Sequence, residues 1–264
     1  MEITPPGMHT ESSDPGLPAL FLFAHHDDEI FIATTLQSLA GRGDVSVAWV
    51  TRGGLHGGMR EAESRRAMDI LGVHPQRLHF FRLPDGRVLD YTGEVINRLT
   101  RLIEKLKPAS VFVPAFEGGH PDHDAVQLAA TEAIRRSVFE SSSDDRGPKL
   151  YEFPLYSRRA TRFLSVGEFI PQATPTLRTT VKLRDRLIRR ELMMTFRSQR
   201  LILWPLSGLK GGPMMMHLRG EPYRRVPVGR DYTVRPHPGR LAYEFYTPVR
   251  FARFAKTAGL LQSG

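Results

Sequence analysis

Six residues able to bind a metal or move a proton fall in two short clusters: His25, Asp27 and Asp28, then His120, Asp122 and His123. Imidazole nitrogen and carboxylate oxygen are the donors of catalytic zinc sites, where three protein ligands leave one position open for water. The spacing repeats, with His25 three residues before Asp28 and His120 three before His123. Where a chain enters a helix, residues i and i+3 share a face, so each pair can aim at one point. A plainer reading is local, since Asp28 or Asp122 alone would serve as a helix N-cap. Two such clusters, each after an apolar run and each at a helix start, point instead to a metal site. The chain has no cysteine, which excludes disulfides, zinc fingers, iron–sulfur clusters and thiol nucleophiles.

The elements that must position these clusters alternate. Ala19 to Ala24 is a continuous apolar run, read as a buried strand. Ile30 to Ala40 carries Ile32, Leu36 and Leu39 at helical spacing and stops at Gly41 and Gly43. Val45 to Val50 reads as a second strand, and a helix follows from about Arg60 to Leu71. Leu78 to Leu83 is a third strand, ending at Pro84-Asp85-Gly86. Val95, Leu99, Leu102, Ile103 and Leu106 mark a helix that ends before Pro108. Ser110 to Pro114 is a fourth strand, and a helix from Asp122 to about Ser137 follows.

Four strand–helix repeats predict an α/β fold: a Rossmann-like, mostly parallel sheet with helices on both faces. Such sheets bind ligands beyond the carboxyl ends of their strands, where His25–Glu29, Thr51–Gly54, Asp85-Gly86 and His120–Asp124 all fall. Residues 1–18 are expected to form a flexible N-terminal arm and 19–150 the catalytic core. Residues 151–264 are expected to be a mixed C-terminal extension that completes the sheet and caps the site. Within that extension Leu150 to Phe153 reads as a strand. Lys182 to about Leu201 reads as a helix with Leu183, Leu187, Ile188, Leu192 and Phe196 on one face. Residues 204–240, rich in Pro, Gly and Arg, read as loops, with Met214-Met215-Met216 at a core or lid edge. Leu241 to Tyr246 reads as a last strand.

The 264 residues are 41% hydrophobic and 25% charged, which excludes a disordered chain. No apolar run is long enough to predict a membrane span, and no secretory leader is visible, so a cytoplasmic location is expected. The net charge of +9 is uneven: −5 over residues 1–150 and +14 over 151–264. A basic half can serve nucleic acid, an anionic membrane or an acidic substrate. Nucleic-acid binding or regulation on a Rossmann-like fold is therefore the alternative function, although scattered arginines read more simply as a solvated surface.

Ala24-His25-His26-Asp27-Asp28-Glu29 resembles the Ala-His-Pro-Asp-Asp-Glu motif of the PIG-L/LmbE-like zinc-dependent de-N-acetylases, and His120-Pro121-Asp122-His123 resembles their His-Pro-Asp-His motif. Thr51-Arg52-Gly53-Gly54, Arg60 with Glu63, Leu71-Gly72-Val73 and Asp85-Gly86 are similar too. The resemblance spans roughly residues 19–137. It implies a zinc hydrolase that removes an N-acetyl or other N-acyl group from an amino sugar or glycoconjugate by attack of a metal-activated water. It implies Zn2+ held by His25, Asp28 and His123, and Asp27 as general base. His120 would help stabilise the tetrahedral oxyanion or protonate the leaving amine, and Arg60 and Asp85 would contact sugar hydroxyls. The expected partner is a small N-acylated sugar; a nucleic-acid partner is not expected, and a homo-oligomer is left open. Asp27 is compatible with its role because successive residues entering a helix point about 100° apart, so it can face the water while Asp28 faces the ion. His26 stands where the family usually has proline; it is either a tolerated loop substitution or a fourth ligand.

Overall fold

The computed structural model describes residues 15–140, 147–158, 164–201, 203 and 220–262. Most of the N-terminal arm, the linker over 141–146 and the three consecutive methionines lie outside the described residues.

Five parallel strands form the centre of the sheet: β1 (Ala19–Phe23), β2 (Val45–Thr51), β3 (Leu78–Leu83), β4 (Ser110–Pro114) and β5 (Lys149–Phe153). β1, β2 and β4 are buried along their whole length. That explains why they read as unbroken apolar runs rather than as alternating ones. Helices α1 (Ala33–Ala40), α2 (Gly57–Ile70), α3 (Thr92–Leu106) and α4 (Pro121–Glu140) connect them. Successive side chains of one strand serve opposite faces. Leu20 and Leu22 join the core under α3 and α4, with Leu99, Ile103 and Leu128. Phe21 and Phe23 join the other core, with Trp49, Leu36 and Met68.

β2 and β4 flank β1, pairing Ala19 with Val45 on one side and with Ser110 on the other. The chain runs outward from β1 through β2 to β3, then returns to place β4 against the other side of β1. At such a reversal the loops leaving two neighbouring strands turn to opposite faces and open a crevice at their carboxyl ends. The loops leaving β1 and β4 carry the two His/Asp clusters.

The remaining strands are β6 (Tyr156–Ser157), β7 (Ser165–Val166), β8 (Leu177–Thr179) and β9 (Glu221–Arg225). The seven-stranded order is β3-β2-β1-β4-β5-β9-β8, and β6 pairs separately with β7. β9 runs antiparallel to both of its neighbours. The loop expectation for 204–240 therefore fails at β9. Its sequence, Glu-Pro-Tyr-Arg-Arg, has no apolar signature because its charges are paired inside. Glu221 binds Arg189 and the backbone N–H groups of Thr34 and Thr35, and Arg224 binds Glu152.

Three further expectations are corrected. Leu241 to Tyr246 is not a strand: α6 (Tyr243–Tyr246) is a single helical turn, with Glu244 accepting the N–H groups of Leu241 and Phe251. The helix α5 (Leu183–Thr195) buries Leu192 and is followed by buried Phe196, but Leu183 and Leu187 are exposed, 71% and 63%. The helix expected from Ile30 starts as a 3-10 turn over Asp28–Ile32 before α1. The C-terminal helix α7 (Phe251–Gln262) packs Phe254 into the core beside α4. No helix among the described residues is long and apolar enough to cross a membrane.

Candidate metal and active site

The chain leaves β1 into a turn that Asp28 ties to itself. Its Oδ2 accepts the N–H groups of Ala24 (3.0 Å) and His25 (2.9 Å), so the i, i+3 relation arises from a capped turn rather than from a helix face. Its Oδ1 faces His123 Nε2 at 3.2 Å, and that nitrogen is 3.1 Å from His25 Nδ1. One ligand atom from each of His25, Asp28 and His123 thus lies within 4.8 Å of the others. Burial alone would raise the Asp28 carboxyl, but His123 and His25 outweigh it and hold it at about 2.

Three observations fit this trio to a cation. Two imidazole nitrogens face each other with one carboxylate oxygen beside them, three possible donor atoms gathered at one point. Burial should push His25 down, yet Asp122, Asp28 and Asp85 hold it up at about 9, so the surroundings favour positive charge. His25 Nε2 lies 3.1 Å from Asp122 Oδ2, the carboxylate–imidazole pairing that fixes a metal-ligating histidine. Asp122 also accepts the N–H groups of Gly86 and Val88, so it joins the β3 loop to the start of α4. His25, His120 and Asp122 form a second trio of ligand atoms at the same spacing limit. Both oxygens of Asp122 accept backbone N–H groups, whereas Asp28 takes both of its backbone donors on Oδ2 and keeps Oδ1 clear of them, so the first trio has the freer lone pairs.

Asp27 occupies a left-handed conformation, φ 113°. Its carboxylate accepts from Arg60 Nη2 at 3.1 Å. Burial raises it to about 8 against the pull of Arg60. Arg60 also bonds the carbonyl of His26 and lies 3.6 Å from Asp85, which in turn accepts the N–H of Gly53. His120 accepts the N–H of Asp122 on Nδ1 at 3.1 Å. Burial and the neighbouring His25 and His123 lower it well below the usual range, so the ring is neutral with its proton on Nε2.

His26 points away from this cluster. It is 1% exposed, bonds Ser64 Oγ at 2.9 Å and stacks against Trp49 and Phe80, which stack on each other. Burial and Arg60 lower its pKa to about 4. Geometry thus favours the tolerated substitution over a fourth ligand. Behind it Glu29 accepts from Ser64, Trp49 and the backbone N–H of Asp27.

His25, Asp27, Asp28, Arg60, Asp85, His120 and His123 all line one cavity of about 250 Å³. Phe31, Leu155, Tyr156, Gln199 and Leu203 complete it, and the last four lie in the half of the chain where the sequence pattern gave no site residue. Tyr156 packs edge-on to His123, 5.6 Å between ring centres. It approaches so closely that a Cβ on Gly119 would lie 1.9 Å from its carbonyl oxygen. A larger open cleft, about 600 Å³, lies around Leu17, Pro108 and Lys149 at the opposite ends of the strands and gathers no imidazole.

Four arginines of the C-terminal half are paired within the fold, three of them with buried side chains. Arg224 and Arg230 pair with Glu152, Arg189 with Glu221, and Arg235 with Glu244.

Comparison with known proteins agrees with this geometry. Residues 20–134 match the family model described as GlcNAc-PI de-N-acetylase, PIG-L. A probable N-acetyl-alpha-D-glucosaminyl L-malate deacetylase 2 of Bacillus anthracis is 30% identical over 137 residues, covering 44% of this chain and 58% of that protein. The chain thus spans little more than half of that relative. The zinc-inhibited form of teicoplanin deacetylase Orf2 superposes with a TM-score of 0.59 at 18% identity, covering 80% of this chain and 99% of that one. The N,N'-diacetylchitobiose deacetylase of Pyrococcus horikoshii gives a TM-score of 0.54 at 18% identity, covering 83% and 87%. At these identities the two structures establish a shared fold.

Proposed function

We propose that this chain, whose residues 20–134 belong to the PIG-L/LmbE-like de-N-acetylase family, hydrolyses the N-acetyl or other N-acyl group of an amino sugar or glycoconjugate. The observation that carries the reading is the convergence of both His/Asp clusters on one cavity at the strand-order reversal. His25, Asp28 and His123 would hold zinc, and Asp122 would orient His25. Zinc in such a donor set polarises an amide carbonyl and lowers the pKa of water to about 7.

The chain's own groups supply the rest. Asp27, which lines the cavity beside the metal trio and is held by Arg60, would as a carboxylate take the proton of the attacking water. It then returns that proton to the amine nitrogen as the C–N bond breaks. Neutral His120, with its proton on Nε2, can donate to the carbonyl oxygen as negative charge develops there. Arg60 holds Asp27 by one edge of its guanidinium and faces Asp85 with the other, so these two would meet the sugar hydroxyls beside the base. The C-terminal residues Leu155, Tyr156, Gln199 and Leu203 would cap the acceptor.

The test is a panel of N-acylated amino sugars assayed for released carboxylic acid with zinc-loaded and chelated protein. Release that needs zinc is expected. Binding of DNA or RNA at about 150 mM salt, with no acid released from any sugar, would replace the hydrolase reading with the nucleic-acid one.

A further inference from the structure

Helix α2 reaches the cavity with more than Arg60. Glu63, three residues farther on and buried, shares that face of the helix. It takes both donors of Ser198, the backbone N–H at 2.9 Å on Oε1 and the hydroxyl at 2.5 Å on Oε2. Ser198 lies in the 3-10 turn Arg197–Gln199 that follows α5. The pairing crosses 135 residues and ties α2 to the turn from which Gln199 enters the cavity wall. Gln199 Nε2 in turn lies 3.3 Å from Ser198 Oγ.

The order of these three groups decides where each proton sits. A carboxylate only accepts, so the single hydroxyl proton of Ser198 points at Glu63. Ser198 Oγ is then left to accept from Gln199. The Gln199 amide must therefore turn its NH2 end to Ser198 and its carbonyl oxygen away from it. That Oε1 has no partner among the described residues. Phe31, Leu155 and Leu203, which line the same cavity, have no side-chain hydrogen bond to offer. An acceptor held in one orientation beside such side chains favours a ligand that brings a donor, and disfavours one that leaves the oxygen unpaired. The donor that a sugar carries in number is its hydroxyl.

We propose that Gln199 is a specificity-determining residue whose amide oxygen accepts a hydrogen bond from one hydroxyl of the sugar, and that Glu63 is the positioning residue that sets this polarity through Ser198. The proposal rests on the hydrolase reading of the cavity and adds to it a residue that selects the acceptor. It also gives Glu63 a task distinct from that of Arg60 on the same helix: Arg60 holds Asp27, and Glu63 orients the wall that meets the sugar.

The experiment measures kcat and KM of the zinc-loaded full chain on the methyl glycoside of N-acetylglucosamine and on its 3-, 4- and 6-deoxyfluoro analogues, in which fluorine replaces a hydroxyl and brings no proton. At one position the replacement should raise KM about tenfold or more with kcat unchanged. Gln199→Leu should raise KM for the parent sugar by a similar factor and lose the distinction between it and that analogue. Glu63→Gln should reduce the distinction, because its amide can donate to Ser198 Oγ and free the hydroxyl proton to hold Gln199 the other way round. Ser198→Ala should reduce it as well, and Ser198→Thr, which keeps the hydroxyl, should preserve it. Melting temperatures are recorded beside the kinetics; Glu63→Gln and Ser198→Ala variants that melt earlier but keep the distinction would overturn the positioning role. Calorimetric titration of the corresponding free amines reads the contact without turnover, and the parent amine should bind more tightly than the same fluoro analogue. Turnover with no KM difference that depends on Gln199, and equal binding of the amines, would overturn the proposal and leave the hydrolase intact. Hydroxyl-selective binding of the amines that depends on Gln199, without turnover of any N-acyl sugar, would support the contact and overturn the hydrolase.

Discussion

Asp122 Oδ2 lies 3.1 Å from His25 Nε2, while the same carboxylate accepts the backbone N–H groups of Gly86 and Val88 at 2.6 and 3.0 Å. A single side chain at the start of α4 therefore sets the imidazole that follows β1 and anchors the loop that follows β3. With Nε2 engaged, His25 presents Nδ1 to His123 and Asp28.

Asp122→Asn should weaken zinc binding by about 10–100-fold, because the imidazole loses the acceptor that fixes its tautomer. Competition against a chelator of known affinity measures this. Unchanged zinc affinity would mean that the pairing is structural only.

Asp27 and Asp28 are adjacent and chemically alike, but their surroundings separate them. Asp27→Asn should cost about 10²–10⁴-fold in kcat while zinc still binds. Asp28→Asn should lower zinc affinity itself, with activity partly recovered in excess metal. Zinc titration beside steady-state kinetics on both variants decides; the reverse pattern would exchange the two roles.

His26→Ala should keep zinc stoichiometry and affinity, since the ring bonds Ser64 and stacks on Trp49 and Phe80 rather than facing the cluster. It should cost roughly 2 kcal/mol of stability through the lost stack and an unpaired Ser64–Glu29 end. Denaturant unfolding gives the second number, and a large drop in zinc affinity would restore His26 as a ligand.

Gly119→Ala should destabilise the chain by roughly 1–3 kcal/mol, because its methyl would meet the Tyr156 carbonyl at 1.9 Å. KM should rise as well, since relief of the clash moves Tyr156 in the cavity wall. A variant with wild-type melting temperature and KM would show that the wall is not fixed there.

Glu244 supplies an acid-sensitive tie outside the metal cluster. Burial raises its carboxyl, but Arg235 and the N–H groups of Phe251 and Leu241 outweigh it and hold it at about 2, against 4.5 in a free side chain. The unfolded chain therefore takes up the proton first. The stabilisation is complete above about pH 4.5 and is lost as pH falls toward 2. Glu244→Gln should cost roughly 2 kcal/mol at neutral pH and little near pH 2. Equal losses at both values would show that packing, not charge, is what the residue provides.

Residues 19–137 announce their own architecture. β1, β2 and β4 are buried on both faces, so each is an unbroken apolar run, and the helices between them carry regular stripes with Gly or Pro at their ends. Short connections between such elements leave few topologies, and the polar clusters after each strand fall on one rim by the direction of the strands alone. Six cavity-lining residues, His25, Asp27, Asp28, Asp85, His120 and His123, were legible on that rim, and Arg60 through the resemblance. Their partners were not. Asp122 meets His25 across 97 residues, Tyr156 reaches the cavity, and Tyr246 binds the Gly119 carbonyl, both tyrosines from segments that carry no periodic signal. β9 was hidden because its charges are neutralised by Arg189 and Glu152 far along the chain, so a buried strand reads as a polar loop. His26 shows the same limit inside a motif: its type suggests a ligand, and only the placement of Ser64, Trp49 and Phe80 turns it away. Local pattern fixes which segments become strands and helices and which ends they expose. Which side chain meets which, and therefore which proton each one holds, depends on contacts between residues distant in sequence, and only the folded chain creates them.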